Sequence, residues 1–280
     1  MKYFLDTEFH EYHKQPKVCG IKVGKSIPTI NLISIGITSE DSSVTNDLYL
    51  DPETPGVLIA KSHSSSYYTI CKDFNLKDAW YSNQGTKEKS NYWLRENVLL
   101  PIHYELASKE VSVPSFDMWR NIITEKENGQ YSDRHLKTLT KLINKYGKSN
   151  KQIANEIKEF VYNAEGWQVD PPVYHHKIKE AINKSIKFYA YYADYDWVVF
   201  AQLYGTMMDL PKGFPYYCNN LKQELDRKQG NFNTQHEKFP KNDYIGNIEN
   251  HPNYPKQENE HNALDDAKWN KKLYEFLNTL

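Results

Sequence analysis

Asp6 and Glu8 stand two residues apart in the apolar-rich run 3–9. The two-residue period of a strand puts both carboxylates on one face. Neighbouring acids on a buried strand repel, and a divalent cation between them offsets that cost. Hard oxygen ligands suit Mg²⁺ or Mn²⁺. An edge strand whose acids face water would carry the same pattern, so the pair alone decides nothing. A second pair, Asp194 and Asp196, closes the apolar run 188–193 (FYAYYA) and opens the next segment. Sites of sheet proteins collect at strand ends, but plain N-capping by Asp196 accounts for its position equally well. The third cluster is His261-Asn262-Ala263-Leu264-Asp265-Asp266-Ala267, after a long polar loop. Its small alanines let a helix pack closely while His261 stands at the mouth. A surface histidine is the commoner case, and one of the two aspartates is explained by the helix dipole.

Three further features compete for attention. Residues 20–26 (GIKVGKS) resemble a phosphate loop, but only three residues separate the glycines where four are needed, and no convincing strand precedes them. His175-His176 has no matching ligand set and reads as a loop pair. Residues 134–151 hold six Lys or Arg and no acid, with Lys137, Lys141 and Lys145 at one-turn spacing. That stripe suits a nucleic-acid backbone, and a solvated helix face suits it equally. The 22 tyrosines could stack bases, though a Lys/Asn/Tyr-rich composition explains most of them.

The elements that must position these groups are α/β. Runs 3–9 and 30–38 (INLISIGIT) read as strands, and residues 47–50 restart a strand after a polar turn, giving a three-strand meander. Residues 51–132 show one helix near 92–106, crossed by Pro101. Apolar spacings of three and four predict helices from His135 to Ile143 and from Ile153 to Val161. A buried strand covers 186–193. Residues 197–204 are strand or helix by periodicity; Asp196 as a start and Gly205 as a stop favour helix. Shorter helical signals fall at 221–227, and a final amphipathic helix at 262–277.

At 280 residues the chain allows one or two domains. A formal net charge of -1 excludes a uniformly basic nucleic-acid binder, so any phosphate-binding surface is local. Fourteen per cent aromatic residues exclude a disordered chain. No apolar run approaches the ~20 residues of a membrane span, and the N-terminus lacks a signal peptide. Cys19, Cys71 and Cys218 are distant and odd in number, as expected for free thiols in a reducing cytoplasm. A membrane is not an expected partner.

The order of the acids carries a resemblance. Phe4-Leu5-Asp6-Thr7-Glu8-Phe9, then Tyr192-Ala193-Asp194-Tyr195-Asp196, then the His261–Ala267 cluster resemble the three motifs of the DEDDh 3′–5′ exonucleases. The YFLDTEF opening, the LISIGITSED strand and the YDWVVFAQLYG segment are similar to the small single-domain 3′–5′ exoribonucleases of bacteria and phages, relatives of ribonuclease T. The resemblance implies a ribonuclease H-like fold: a mixed central sheet with its first three strands antiparallel, flanked by helices. It implies one domain, residues 1–280, with insertions at 10–29, within 51–132 and at 163–184. It makes Asp6, Glu8, Asp196 and Asp266 the metal-binding acids and His261 the base. Two Mg²⁺ or Mn²⁺ ions would serve hydrolysis of single-stranded RNA 3′ ends to nucleoside 5′-monophosphates. Asp196 is preferred to Asp194 because it follows an aromatic residue, as in the family's second motif, and Asp266 to Asp265 by the family spacing. Tyr192 departs from the asparagine that many members carry. A DNA-directed exonuclease of the same fold and an inactive nucleic-acid-binding or phage–host interaction protein stay open as alternatives. So does the oligomeric state, a homodimer included.

Overall fold

The apolar run that begins the chain becomes a 13-residue strand, β1 (Lys2–Lys14). A computed structural model describes residues 1–19, 21–40, 46–50, 58–62, 65–86, 89–125, 133–165, 186–236 and 247–280. Gly20, His175-His176 and most of the 163–184 insertion lie outside the described residues. After β1 come β2 (Lys17–Val18), β3 (Ile21–Lys22), β4 (Ile27–Ser39), β5 (Asn46–Leu50), β6 (Leu58–Ser62) and β7 (Ser66–Ile70). The helices α1 (Leu76–Trp80), α2 (Leu100–Ser108), α3 (Phe116–Glu125), α4 (Asp133–Tyr146) and α5 (Asn150–Ala164) follow. The chain then gives β8 (Lys187–Ala190), α6 (Asp194–Gln202), β9 (Asn219–Asn220), α7 (Leu221–His236) and α8 (Ala263–Leu277). Two compact units result: one of Met1–Asp6, Gly36–Tyr68 and Ile153–Leu280, the other of Thr7–Ile35 and Thr69–Gln152.

The sheet runs β7-β4-β1-β8-β9. It is mixed, as expected of a ribonuclease H-like fold. β1 pairs β8 in parallel through Tyr3↔Phe188 and Phe4↔Tyr189, and β8 pairs β9 in parallel. Between β4 and β7, Ser39 N–H donates to Ser65 O and Cys71 N–H to Ile33 O, an antiparallel order. One expectation is corrected. Residues 47–50 do not supply the sheet's third strand; β5 pairs β6 in a separate antiparallel hairpin, and β7 takes that place. Strand composition marks 47–50 as extended but does not fix which neighbour it pairs with.

Within the first unit, alternation along β1 sorts its side chains to two helical layers. Tyr3 meets Phe160 of α5 edge-on at 6.1 Å, and its hydroxyl donates to Glu165 at 3.1 Å. Phe4 faces Tyr274 of α8 at 5.3 Å. Tyr3, Phe4 and Leu5 are at most 1% exposed. Burying a large apolar side chain contributes ~1.5–3 kcal/mol, so this strand is a main source of the unit's stability. Phe188, beside Tyr3, packs on Trp197 and Phe200 of α6, which puts α6 on the α5 side.

The two strand ends β1 and β4 are latched by charge. Lys2 Nζ and Lys2 N–H both donate to the Glu40 carboxylate. Though partial burial opposes it, these Lys2 contacts together hold Glu40 below its ordinary value of 4.5. A depressed carboxyl stabilises the fold above the unfolded value and loses that effect as pH falls through the folded value. Glu40→Gln is therefore expected to cost up to about 1 kcal/mol at neutral pH, the range of a partly exposed ion pair. Urea denaturation should show the gap to the parent closing as pH drops below about 4. A gap that persists unchanged at pH 2 would show that the carboxylate charge is irrelevant.

In the second unit, the run 93–108 is helical throughout, and Pro101 is accommodated by a π-turn at Arg95–Leu99 directly before it. Proline removes a backbone donor, and Leu100 N–H reaches back to Arg95 O instead. Burial pushes His103 of α2 down to about 4, so it is a neutral core ring, set edge-on to Trp119 at 5.0 Å. The rejection of a phosphate loop agrees with the structure: residues 21–26 form β3 and a turn, with Gly24 at φ +70, and the next element is β4, so no helix follows to supply free N–H groups.

Candidate active site

Because β1 and β8 run parallel, β1 carries Asp6 past the edge at which β8 ends with Ala190. Asp6 stands two residues beyond the Phe4↔Tyr189 pair, and α6 starts four residues after Ala190. Asp6 shares the α8 face with Phe4 by strand alternation. Glu8, two residues farther along the same strand, belongs to the second unit and is buried.

Helix α8 crosses this strand in the opposite sense. Tyr274 meets Phe4, and one turn earlier Asn270 Nδ2 donates to Leu5 O at 2.9 Å. Asp266, one further turn back, is thereby carried toward Asp6, since residues four apart share a helix face. Asn270 is 1% exposed and is a positioning residue for this crossing.

The start of α8 is held by several bonds. Asn262 caps it, accepting from Leu264 N–H and Asp265 N–H at 3.1 and 3.3 Å. Trp269 Nε1 donates to Pro255 O at 3.0 Å and anchors the preceding loop. His261 sits in the left-handed region at φ +69. Its backbone N–H donates to Asp266 Oδ2 at 2.8 Å, and Gln257 Nε2 donates to Asp266 Oδ1 at 2.5 Å. Asp266 is buried, and desolvation pushes its carboxyl above the usual aspartate value despite both bonds and the nearby His261. Asp265 instead turns outward to Lys268 at 3.3 Å and to Asn259.

The same contrast separates the earlier pair. Asp196 is 6% exposed while Asp194 is exposed. The capping role is corrected: α6 begins at Asp194 after Ala193, with no side-chain cap bond, and Asp196 lies inside the first turn. Helix takes most of the run 197–204: α6 extends to Gln202, and Gly205, at φ +119, lies in the turn that follows. The expected strand 186–193 stops at Ala190, where Tyr191, Tyr192 and Ala193 turn the chain. Tyr192 carries φ +55, a conformation that asparagine tolerates better than most residues. That gives a physical reason why asparagine suits this position.

Close approach of β4 to α8 depends on a residue the motif reading passed over. A Cβ on Gly36 would lie 2.2 Å from Ala263 O and 2.4 Å from Leu264 Cα. Glycine inside a strand signals such an approach, and the sequence offered that sign. Asn270 and Gln257 were missed as well; a polar residue on the apolar face of the last helix was the available sign for Asn270.

In the second unit, Lys137, Lys141 and Lys145 are all exposed on α4. Lys145 pairs with Glu110 at 2.5 Å, and Tyr146 donates to the same carboxylate. One of the three cations at one-turn spacing is thus already engaged.

Residues 133–278, just over half of the chain, match the model of the family described as 3′-5′ exoribonuclease Rv2179c-like domain. The matched span includes Asp196, His261 and Asp266 and leaves out Asp6 and Glu8. No curated protein matches the chain.

Proposed function

The chain belongs to the Rv2179c-like 3′-5′ exoribonuclease domain family, and from that premise we propose that it hydrolyses single-stranded RNA from the 3′ end with two divalent ions, releasing nucleoside 5′-monophosphates. The observation that supports this reading is the buried Asp266, bonded by the His261 backbone N–H at the start of α8, the helix that Asn270 fixes against Leu5 of β1. In the same reading the whole chain is one exonuclease domain with insertions, acting in the cytoplasm. The free thiols Cys19, Cys71 and Cys218 fit that compartment, and among the described residues no helix is long and apolar enough to cross a membrane.

The donor set fits hard cations. Asp266 is a desolvated carboxyl whose hydrogen-bond partners are an amide and a backbone N–H. A bound cation would draw it back to the charged form. Asp6, Glu8, Asp196 and Asp266 would hold the two ions, Mg²⁺ or Mn²⁺. When bound, they supply water activation and charge stabilisation at the departing 3′ oxygen. His261 takes the proton of the attacking water, because imidazole exchanges protons near neutral pH. The water oxygen bonds to phosphorus as the P–O3′ bond breaks.

The test is hydrolysis of 5′-labelled against 3′-labelled single-stranded RNA, with matched DNA alongside. The expected result is a shortening ladder from the 5′ label, immediate labelled mononucleotide from the 3′ label, and arrest by EDTA. The opposite label pattern would refute the polarity. Faster loss of DNA would make the enzyme DNA-directed, and activity persisting in EDTA would refute the metal reading.

A further inference from the structure

We propose that a groove beside α6 binds the nucleotides upstream of the scissile 3′ end, its tyrosines stacking bases and its lysines meeting phosphates. The inference rests on the exoribonuclease reading. The groove encloses about 740 Å³ in the first unit, and its lining includes Lys187, Lys212, Phe214, Tyr216, Tyr217 and Asn219. No acid lines it among the described residues.

Three observations point to single-stranded nucleic acid. Tyr216 and Tyr217 are 58% and 67% exposed. Two adjacent aromatic rings left largely in water have little packing role, and exposed rings are what base stacking needs. Lys187 and Lys212 are both exposed, and a cationic lining without acids complements a phosphate chain. The wall is also tied to the candidate active site. Trp197, next to Asp196, donates its indole N–H to Tyr216 O at 3.1 Å.

The wall is built to hold its shape. Gly213 turns the chain at φ +94, and Pro211 and Pro215 flank that turn. Tyr162 donates to Lys212 O at 2.9 Å, and Asn219 Nδ2 donates to Phe188 O at 2.9 Å. A preformed wall reduces the ordering entropy that binding must offset.

The experiment uses the full chain, a 5′-fluorescein-labelled ten-nucleotide oligoadenylate, and EDTA to block turnover during binding. Loss of one stacked base weakens binding roughly 5- to 150-fold, and Tyr216→Ala/Tyr217→Ala is expected to fall in or beyond that range. Tyr216→Phe/Tyr217→Phe keeps the rings and should stay within about twofold of the parent, because stacking does not need the hydroxyl. Lys187→Gln/Lys212→Gln should flatten the slope of log affinity against log salt by about 1.4. With Mg²⁺ present, the preference for the ten-nucleotide over a dinucleotide substrate should shrink in the alanine variant.

Equal loss in the phenylalanine and alanine variants overturns the stacking claim. An unchanged salt slope for the lysine variant, with a flattened one for Lys137→Gln/Lys141→Gln, moves the RNA path to α4 and overturns the proposal. If the parent binds RNA through the groove yet cleaves nothing, the exoribonuclease reading fails while the groove stands. If the parent cleaves and the groove variants bind as it does, the reverse holds.

Discussion

Asp266→Asn and Asp196→Asn are expected to drop turnover to background, while Asp265→Asn and Asp194→Asn keep most activity. The two sensitive residues are buried, and their neighbours face solvent or a lysine. Asparagine preserves shape and an acceptor for the His261 N–H but offers a divalent ion no charge. Loss of the ions should exceed the ~10²–10⁴-fold cost of removing a general base. That smaller cost is what His261→Ala should show, in kcat with KM little changed, because a base acts in the transition state. Removing a desolvated carboxylate should leave the metal-free Asp266→Asn protein at least as stable as the parent. Steady-state kinetics on 5′-labelled RNA, with Mg²⁺ affinity by calorimetry, checks the ranking. If Asp265→Asn were the more damaging, the third motif would be misread by one residue.

Gly36→Ala is expected to be nearly as severe, although Gly36 touches no substrate in this reading. The added methyl would lie 2.2 Å from Ala263 O and 2.4 Å from Leu264 Cα, all backbone, so no rotamer change relieves it. Either β4 or the first turn of α8 must move by about 1 Å or more. That turn follows His261 and carries Asp266, and misplacement on this scale costs about 100-fold in rate. Overpacking of this kind also destabilises by about 1–3 kcal/mol. Circular dichroism, melting and activity far below the melting temperature separate the two effects. A folded Gly36→Ala protein with parental kcat would show that α8 tolerates the displacement and that the close approach is irrelevant to the site.

Much of this was legible in one dimension because it depends on local periodicity. The apolar spacing of 135–143 and 153–161 gave α4 and α5, and the INLISIGIT run gave β4. The paired acids and the histidine were visible as residue types in a fixed order. What the order could not supply was which of two adjacent aspartates is buried. That choice belongs to the packing of α6 and α8, since a helix turns each successive side chain by about 100° and only tertiary contacts say which direction is inward.

Strand pairing was the other limit. Residues 47–50 have a strand's composition, but composition does not name a partner, and β7 rather than β5 joined the sheet. The sequence by itself determined most of the elements outside residues 51–132, the candidate chemistry and the need for something positive among the acids. The tertiary structure alone decided that Gly36 admits the α8 backbone, that Asn270 sets α8 on Leu5, and that Asp196 and Asp266 are the aspartates withdrawn from water. The physical reason is distance along the chain: these contacts join residues more than two hundred positions apart or lie at a helix–strand crossing, where no local pattern records the partner.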